Sequence, residues 1–196
     1  MANEHDNPNP EDFFWFETQE IDFSDFECEG FILDIGGGGE GIIGQLKGSQ
    51  VIAIDPKKRE LENAADGPLK IIMDARELKF LDGSFQTATA FYSLMYMSEE
   101  IQKVVLKEIH RVLKTKGELI IWDISLLQPF DTTKRGFIVP LKVKLPDRVI
   151  ETGYGNPWPE NDHDISYYRQ LAEETGFILL ETSVDGINLV MKIQKP

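Results

Sequence analysis

Phe31-Ile32-Leu33-Asp34-Ile35-Gly36-Gly37-Gly38-Gly39-Glu40-Gly41 decides how the chain reads. A short apolar run after Gly30 ends in four consecutive glycines, and apolar residues then recur at Ile42, Ile43 and Leu46. That order predicts a buried strand, a tight turn and a helix. Glycine serves such a turn twice. It adopts backbone angles other residues resist, and it lets main chain approach a ligand closely. The helix that follows is expected to aim its unpaired N–H groups at the same spot, which makes a polar cradle for a nucleoside-bearing cofactor. Gly36, Gly38 and Gly41 also satisfy G-x-G-x-x-G, a pattern that ligand-free turns share.

Outward from this stretch the rhythm repeats. Val51-Ile52-Ala53-Ile54 reads as a strand closing on Asp55, and Pro56 opens a helical stretch with Leu61 and Ala64 on one face. Residues 69–73 form a strand closing on Asp74, residues 81–84 a turn, and residues 85–91 a strand of small and apolar side chains. Ile101, Val104, Val105, Ile109, Val112 and Leu113 recur at helical spacing, with Ser98 at the N-cap and Gly117 beyond the end. Residues 118–122 are a strand ending at Asp123. Strands alternating with helices imply an α/β fold with a parallel sheet. Ligands of such sheets sit beyond the strands' C-terminal ends, so Asp34, Asp55, Asp74 and Asp123 are expected to gather there. Each of them could instead cap the next helix, Asp123 above all.

Residues 126–163 break the alternation. Two strands, 137–145 and 148–152, flank Pro146-Asp147, and a loop covers 153–159. A helix resumes over 164–175, with Ile165, Tyr168, Leu171 and Ala172 as its apolar face. Strands over 177–182 and 187–193 close around Asp185-Gly186, a hairpin signal.

Charge is unevenly spread over the 196 residues, whose net charge is −14. Residues 1–30 carry ten acids and no Lys or Arg. Such a surface repels phosphate backbones and disfavours a nucleic-acid substrate. Residues 1–10 read as a loose tail. Phe13-Phe14-Trp15-Phe16 is too apolar to leave in water and is expected to dock as a short helix or a lid. Residues 130–155 instead hold Lys134, Arg135, Lys142, Lys144 and Arg148 against three acids. That excess reads either as a strand edge protected by lysine or as a cap that attracts an anionic small molecule. No apolar run reaches the ~20 residues that span a bilayer, the N-terminus lacks signal-peptide features, and Cys28 is the single cysteine. A cytoplasmic protein with no membrane partner is the expectation.

In its motifs the chain resembles the class I, Rossmann-like, S-adenosylmethionine-dependent methyltransferases. The likeness covers residues 30–125 by motif and 164–196 by pattern. Leu33-Asp34-Ile35-Gly36-Gly37-Gly38-Gly39 looks like the family's first motif. Asp55 stands where members bind the ribose hydroxyls. Met73-Asp74-Ala75-Arg76, followed by Asp82-Gly83-Ser84-Phe85, looks like the adenine-contacting stretch. Ile109-His110-Arg111-Val112-Leu113-Lys114 through Leu119 is similar to the helix-to-strand signature.

The resemblance implies a seven-stranded, mostly parallel sheet with helices on both faces and an antiparallel C-terminal hairpin. An acidic N-terminal segment (1–30) precedes it, and a cap is inserted at about 126–163. It implies S-adenosyl-L-methionine as cofactor, held by Asp34, Ile35, Gly36, Gly37, Gly38, Asp55, Pro56, Asp74, Ala75 and Ser93. It also implies in-line methyl transfer to a small-molecule substrate. Tyr92, Tyr96 and His163 are candidates for the catalytic chemistry, and no His, Cys or Asp cluster has metal-ligand spacing. There are departures. Glu40 stands where many members have a third glycine, and Gln86 where Asp often follows Phe. Two other readings remain open: a non-catalytic S-adenosylmethionine-binding sensor or partner subunit, and an NAD-dependent oxidoreductase.

Overall fold

The computed structural model describes residues 10–196, so the tail expected over 1–10 lies, but for Pro10, outside it. In chain order the elements are β1 (Phe13–Trp15), β2 (Gln19–Asp22), β3 (Ile32–Ile35), α1 (Ile42–Lys47), β4 (Val51–Asp55), α2 (Lys58–Asn63), β5 (Leu69–Ile72), β6 (Phe85–Phe91), α3 (Glu99–Val112), β7 (Leu113–Ile124), β8 (Gly136–Lys144), β9 (Val149–Pro157), α4 (Ile165–Glu174), β10 (Ile178–Asp185) and β11 (Asn188–Gln194). Seven strands form one sheet in the order β10-β11-β7-β6-β3-β4-β5. Those from β3 to β7 run parallel, and the β10–β11 hairpin is antiparallel, as expected.

Side chains alternate across a strand, so the sheet divides its core between two faces. Leu33, Ile35, Ile54, Ala88 and Ile121 pack with Leu106 and Ile109 of α3 and Leu171 of α4. Ile32, Val51, Ala53, Ile120 and Trp122 pack on the other face with Ile42 and Ile43 of α1. Among the described residues, no helix is long and apolar enough to cross a membrane.

A second, four-stranded sheet covers part of that other face. β8 is its centre: β1 and β2 run parallel to it, and β9 antiparallel. Phe137, Val139, Leu141 and Val143 alternate inward to the core shared with α1. The N-terminal aromatics therefore sit in and beside a strand rather than a helix. Phe14 lies opposite Phe137 in the β1–β8 register, and Phe16 packs against Phe137 and Trp158. Three of the five basic residues that suggested an anion-attracting cap face the acidic segment instead, and Arg148 pairs with Asp147. Lys144 pairs with Asp22 at 2.9 Å, Arg135 faces Asp12 at 3.8 Å, and Lys134 donates to the Glu11 carbonyl at 2.7 Å. Exposed pairs of this kind contribute little each. The tighter anchor is Phe23, 2% exposed, whose ring lies 5.1 Å from Trp122, 5.5 Å from Phe26 and 5.9 Å from Phe91.

Two boundaries differ from the sequence reading. β7 begins at Leu113, directly after α3 and five residues early, pairing first with Phe85 and then slipping register at a bulge. Gly117 serves that close approach rather than a helix stop, because a Cβ there would lie 2.8 Å from the Lys114 carbonyl. Pro56 lies in a bend before α2, where Asp55 Oδ1 accepts the Lys57 N–H at 2.7 Å.

Asp34 is the least expected core residue. It is 2% exposed, points to the α1 side, and accepts a hydrogen bond from the Thr89 hydroxyl at 2.7 Å. Burial pushes its pKa up to about 7, against the Thr89 bond, which lowers it. Asp123, also buried, is raised to about 7 by the same cause.

Two measurements test this account. Phe23→Ala should cost about 3–5 kcal/mol of stability; a near-native Tm would mean that the N-terminal segment only adheres to the surface. The second concerns pH. Between the unfolded carboxyl value of 3.8 and about 7, folded Asp34 keeps a proton that the unfolded chain has released. Stability therefore falls as pH rises through that window, by at most about 1.4 kcal/mol per pH unit for each such carboxyl, and levels off above it. Asp34→Asn keeps an acceptor for Thr89 and removes the Asp34 share of this dependence, leaving that of Asp123. In urea unfolding the variant should gain on the wild type between about pH 4 and about pH 7; an offset constant with pH would contradict the account.

Candidate active site

The C-terminal ends of β3, β4, β5 and β6 open into a cavity of about 640 Å³. The glycine turn contributes Gly36, Gly38 and Gly39, and the end of β4 contributes Asp55, Pro56 and Lys57. Met73, Asp74, Ala75 and Arg76 follow β5; Tyr92, Ser93 and Tyr96 follow β6; and Tyr154 reaches in from β9. No residue of α1 lines the cavity, so the cradle expected from that helix is made by the turn alone.

Close packing explains the glycines. A Cβ on Gly36 would meet Ser93 Cβ at 2.6 Å, and one on Gly38 would meet Glu60 Cβ at 2.5 Å and Asp55 Oδ2 at 2.9 Å. A Cβ on Gly37 would meet Asp34 Oδ2 at 2.5 Å. The Gly36 and Gly37 N–H groups both bond the Ile54 carbonyl, which pins the turn to β4.

The two acids at the rim differ in character. Asp55 is half-buried, with Oδ1 used by Lys57 and Oδ2 beside Gly38; burial raises its pKa. Asp74 is gripped by Arg76 through Nε at 3.0 Å and Nη2 at 2.6 Å, which holds its carboxyl below the usual range. Ser93 is buried against the cavity, and its hydroxyl has no hydrogen-bond partner among the described residues. Buried polar atoms are nearly always paired, so this one marks a place for a ligand group.

Three tyrosines also line the cavity. Tyr92 has a φ of 47°, uncommon for a residue with a Cβ. Its hydroxyl donates to Asn188 Oδ1 at 3.0 Å, and its ring stacks on Tyr154 at 5.3 Å. Tyr96 is 52% exposed as a residue, yet desolvation at its hydroxyl, beside the Gly155 main chain, pushes its pKa to about 12. Burial also raises Tyr92 and Tyr154, so all three hydroxyls keep their protons at neutral pH.

Of the residues expected at a cofactor, Ile35, Gly36, Gly38, Asp55, Pro56, Asp74, Ala75 and Ser93 line the cavity. Asp34 and Gly37 do not; they stand behind it, in contact with each other. Tyr92 and Tyr96 line it too. His163 does not. It bridges to Leu126, and its ring stacks on Tyr167 at 4.4 Å, with burial lowering its pKa. Glu60, Arg76 and Tyr154 were not foreseen. Arg76 follows Asp74 by two residues, a spacing that suits a side-chain pair, and Tyr154 stands out only as an aromatic between two glycines.

Residues 33–121 match the family model described as a methyltransferase domain. A sterol 4-C-methyltransferase of Caenorhabditis elegans is 31% identical over 109 residues, covering 52% of this chain and 30% of that protein, so the match spans less than a third of the relative's length. Among solved structures, an S-adenosylmethionine-dependent methyltransferase from Methanosarcina mazei is similar with a TM-score of 0.63 at 18% identity, over 87% of this chain and 94% of that one. Another, from Clostridium acetobutylicum, has a TM-score of 0.60 at 13% identity, over 85% and 84%. The cyclase SpnF has a TM-score of 0.59 at 17% identity, over 86% and 76%, so the fold by itself does not fix the chemistry. Residues 33–121, running from β3 into β7, thus match a methyltransferase domain, and the fold around them is similar to that of solved S-adenosylmethionine-dependent methyltransferases.

Proposed function

We propose that this protein transfers the methyl group of S-adenosyl-L-methionine to a small-molecule acceptor held in the same cavity. The observation that carries the reading is the pairing, in one cavity, of a glycine turn too tight for any side chain with an orphaned Ser93 hydroxyl and the carboxylate of Asp55. In this reading Asp55 Oδ2 accepts from the ribose hydroxyls, since a carboxylate is an acceptor and a diol offers two donors. Asp74 and Ala75 lie along the adenine, while Ile35, Gly36, Gly38, Pro56 and Ser93 pack along the rest. Asp34 and Gly37 shape the turn from behind.

The bound sulfonium supplies an already activated methyl group. What the chain adds is alignment of the acceptor and exclusion of water, and proximity carries much of such a rate. Tyr92 and Tyr96 border the acceptor space, where their protonated hydroxyls orient rather than abstract. A cavity of about 640 Å³ falls within the range of small-molecule sites, and the sterol-acting relative keeps a small organic molecule the favoured class.

The domain reading follows. Residues 31–196 are the catalytic domain, and the insertion at about 126–163 is a cap braced by the acidic N-terminal segment, with Tyr154 as its point of entry to the cavity.

Calorimetric titration with S-adenosylmethionine, S-adenosylhomocysteine and NAD tests the reading; binding of NAD alone would overturn it. Asp55→Ala should weaken S-adenosylhomocysteine binding by about 1–3 kcal/mol, and unchanged affinity in the folded variant removes Asp55 from the site. Amide exchange tests the cap. Exchange over residues 149–157 should slow when S-adenosylhomocysteine is added, and equal rates with and without it would place the cap outside the ligand's surroundings.

A further inference from the structure

One corner of the cavity has a chemistry that the cofactor contacts leave unused. Glu40 lines the cavity beside the Tyr154 hydroxyl, and no ion pair among the described residues engages its carboxylate. Aromatic rings surround the same space. Tyr154 stacks on Tyr92 at 5.3 Å, and Phe91 lies 5.2 Å from Tyr92 and 6.2 Å from Tyr154. Tyr96 touches the Gly155 main chain and lies within the field of Glu40 and Glu60. The buried, unpartnered Ser93 hydroxyl opens on this cavity too.

Ring faces and a lone carboxylate attract a cation, and the attraction grows as water is excluded. An anionic molecule would meet Glu40, Glu60 and electron-rich rings instead. Lys57 and Arg76 do line the cavity, but Asp74 already engages the Arg76 guanidinium. Lys134, Arg135 and Lys144 of the insertion face the acidic N-terminal segment, Arg148 pairs with Asp147, and neither they nor Lys142 line the cavity.

We propose that this corner is the acceptor subsite, that it selects a small molecule bearing a positively charged amine, and that Glu40 is the residue determining that choice. The proposal rests on the methyltransferase reading above. The ammonium group of the cofactor shares this chemistry, so the test must separate the two sources.

Choline and its neutral carbon isostere, in which a tert-butyl group replaces trimethylammonium, serve as matched probes. Each is titrated into the full chain, with and without saturating S-adenosylhomocysteine. Choline should bind roughly tenfold more tightly than the isostere. Glu40→Gln keeps an acceptor for Tyr154 and removes the charge, and Glu40 is exposed, so the fold is undisturbed. That variant should lose most of the preference, and Tyr96→Leu should lose part of it. Equal binding of the two probes overturns the proposal, as does a preference that survives Glu40→Gln. A fall in S-adenosylhomocysteine affinity with the choline preference intact also overturns it, because Glu40 would then hold the cofactor's ammonium. Choline preference in a protein that fails to bind S-adenosylhomocysteine would sink the methyltransferase reading and leave the cation subsite standing.

Discussion

A carboxyl group without a cation lies under the glycine turn, and much of the site depends on it. Asp34 ties β3 to β6 through Thr89, while its other oxygen fills the space where a side chain on Gly37 would go. The turn is thereby set from beneath, and its outer glycines are pressed against Ser93, Glu60 and Asp55. Burying an isolated charge is costly, and a protein commonly relieves the cost by neutralising the group. The raised pKa of Asp34 is that relief. A position counted from sequence among the cofactor-binding residues stands behind the cavity and braces the turn.

The large sheet was legible because its signals are local. The run 31–35, the strands closing on Asp55 and Asp74, and the helix carrying Leu106 and Ile109 each show their period within a dozen residues. Eight of the residues expected at a ligand line the cavity for a related reason: a parallel sheet brings the ends of its strands to one side. The second sheet had no such signal. β1 is three residues long, too short to display alternation, and its partner strand lies more than a hundred residues away. Tyr154 was read into a loop because Gly153, Gly155 and Pro157 mark turns, whereas here the two glycines let β9 pass close to β8.

Charge misled for the same reason. Lys144 and Arg135 looked like an attractant for a ligand because Asp22 and Asp12 are far off in sequence. Composition records that acids and bases are segregated; only the fold shows that the two groups face each other.

The parallel pairing of β1 and β2 with β8 also bears on how the chain is made. Lys134 and the Glu11 carbonyl it reaches are 123 residues apart. At ribosomal speeds of about 5–20 residues per second, the aromatic segment waits roughly 6–25 seconds for its partner strand to emerge. Throughout that interval Phe13, Phe14, Trp15 and Phe16 are in water, a run of the kind that seeds aggregation. The flanking acids repel like segments on other nascent chains until β8 arrives, and the same charges then meet its basic residues. A run of carboxylates first serves solubility and later serves docking.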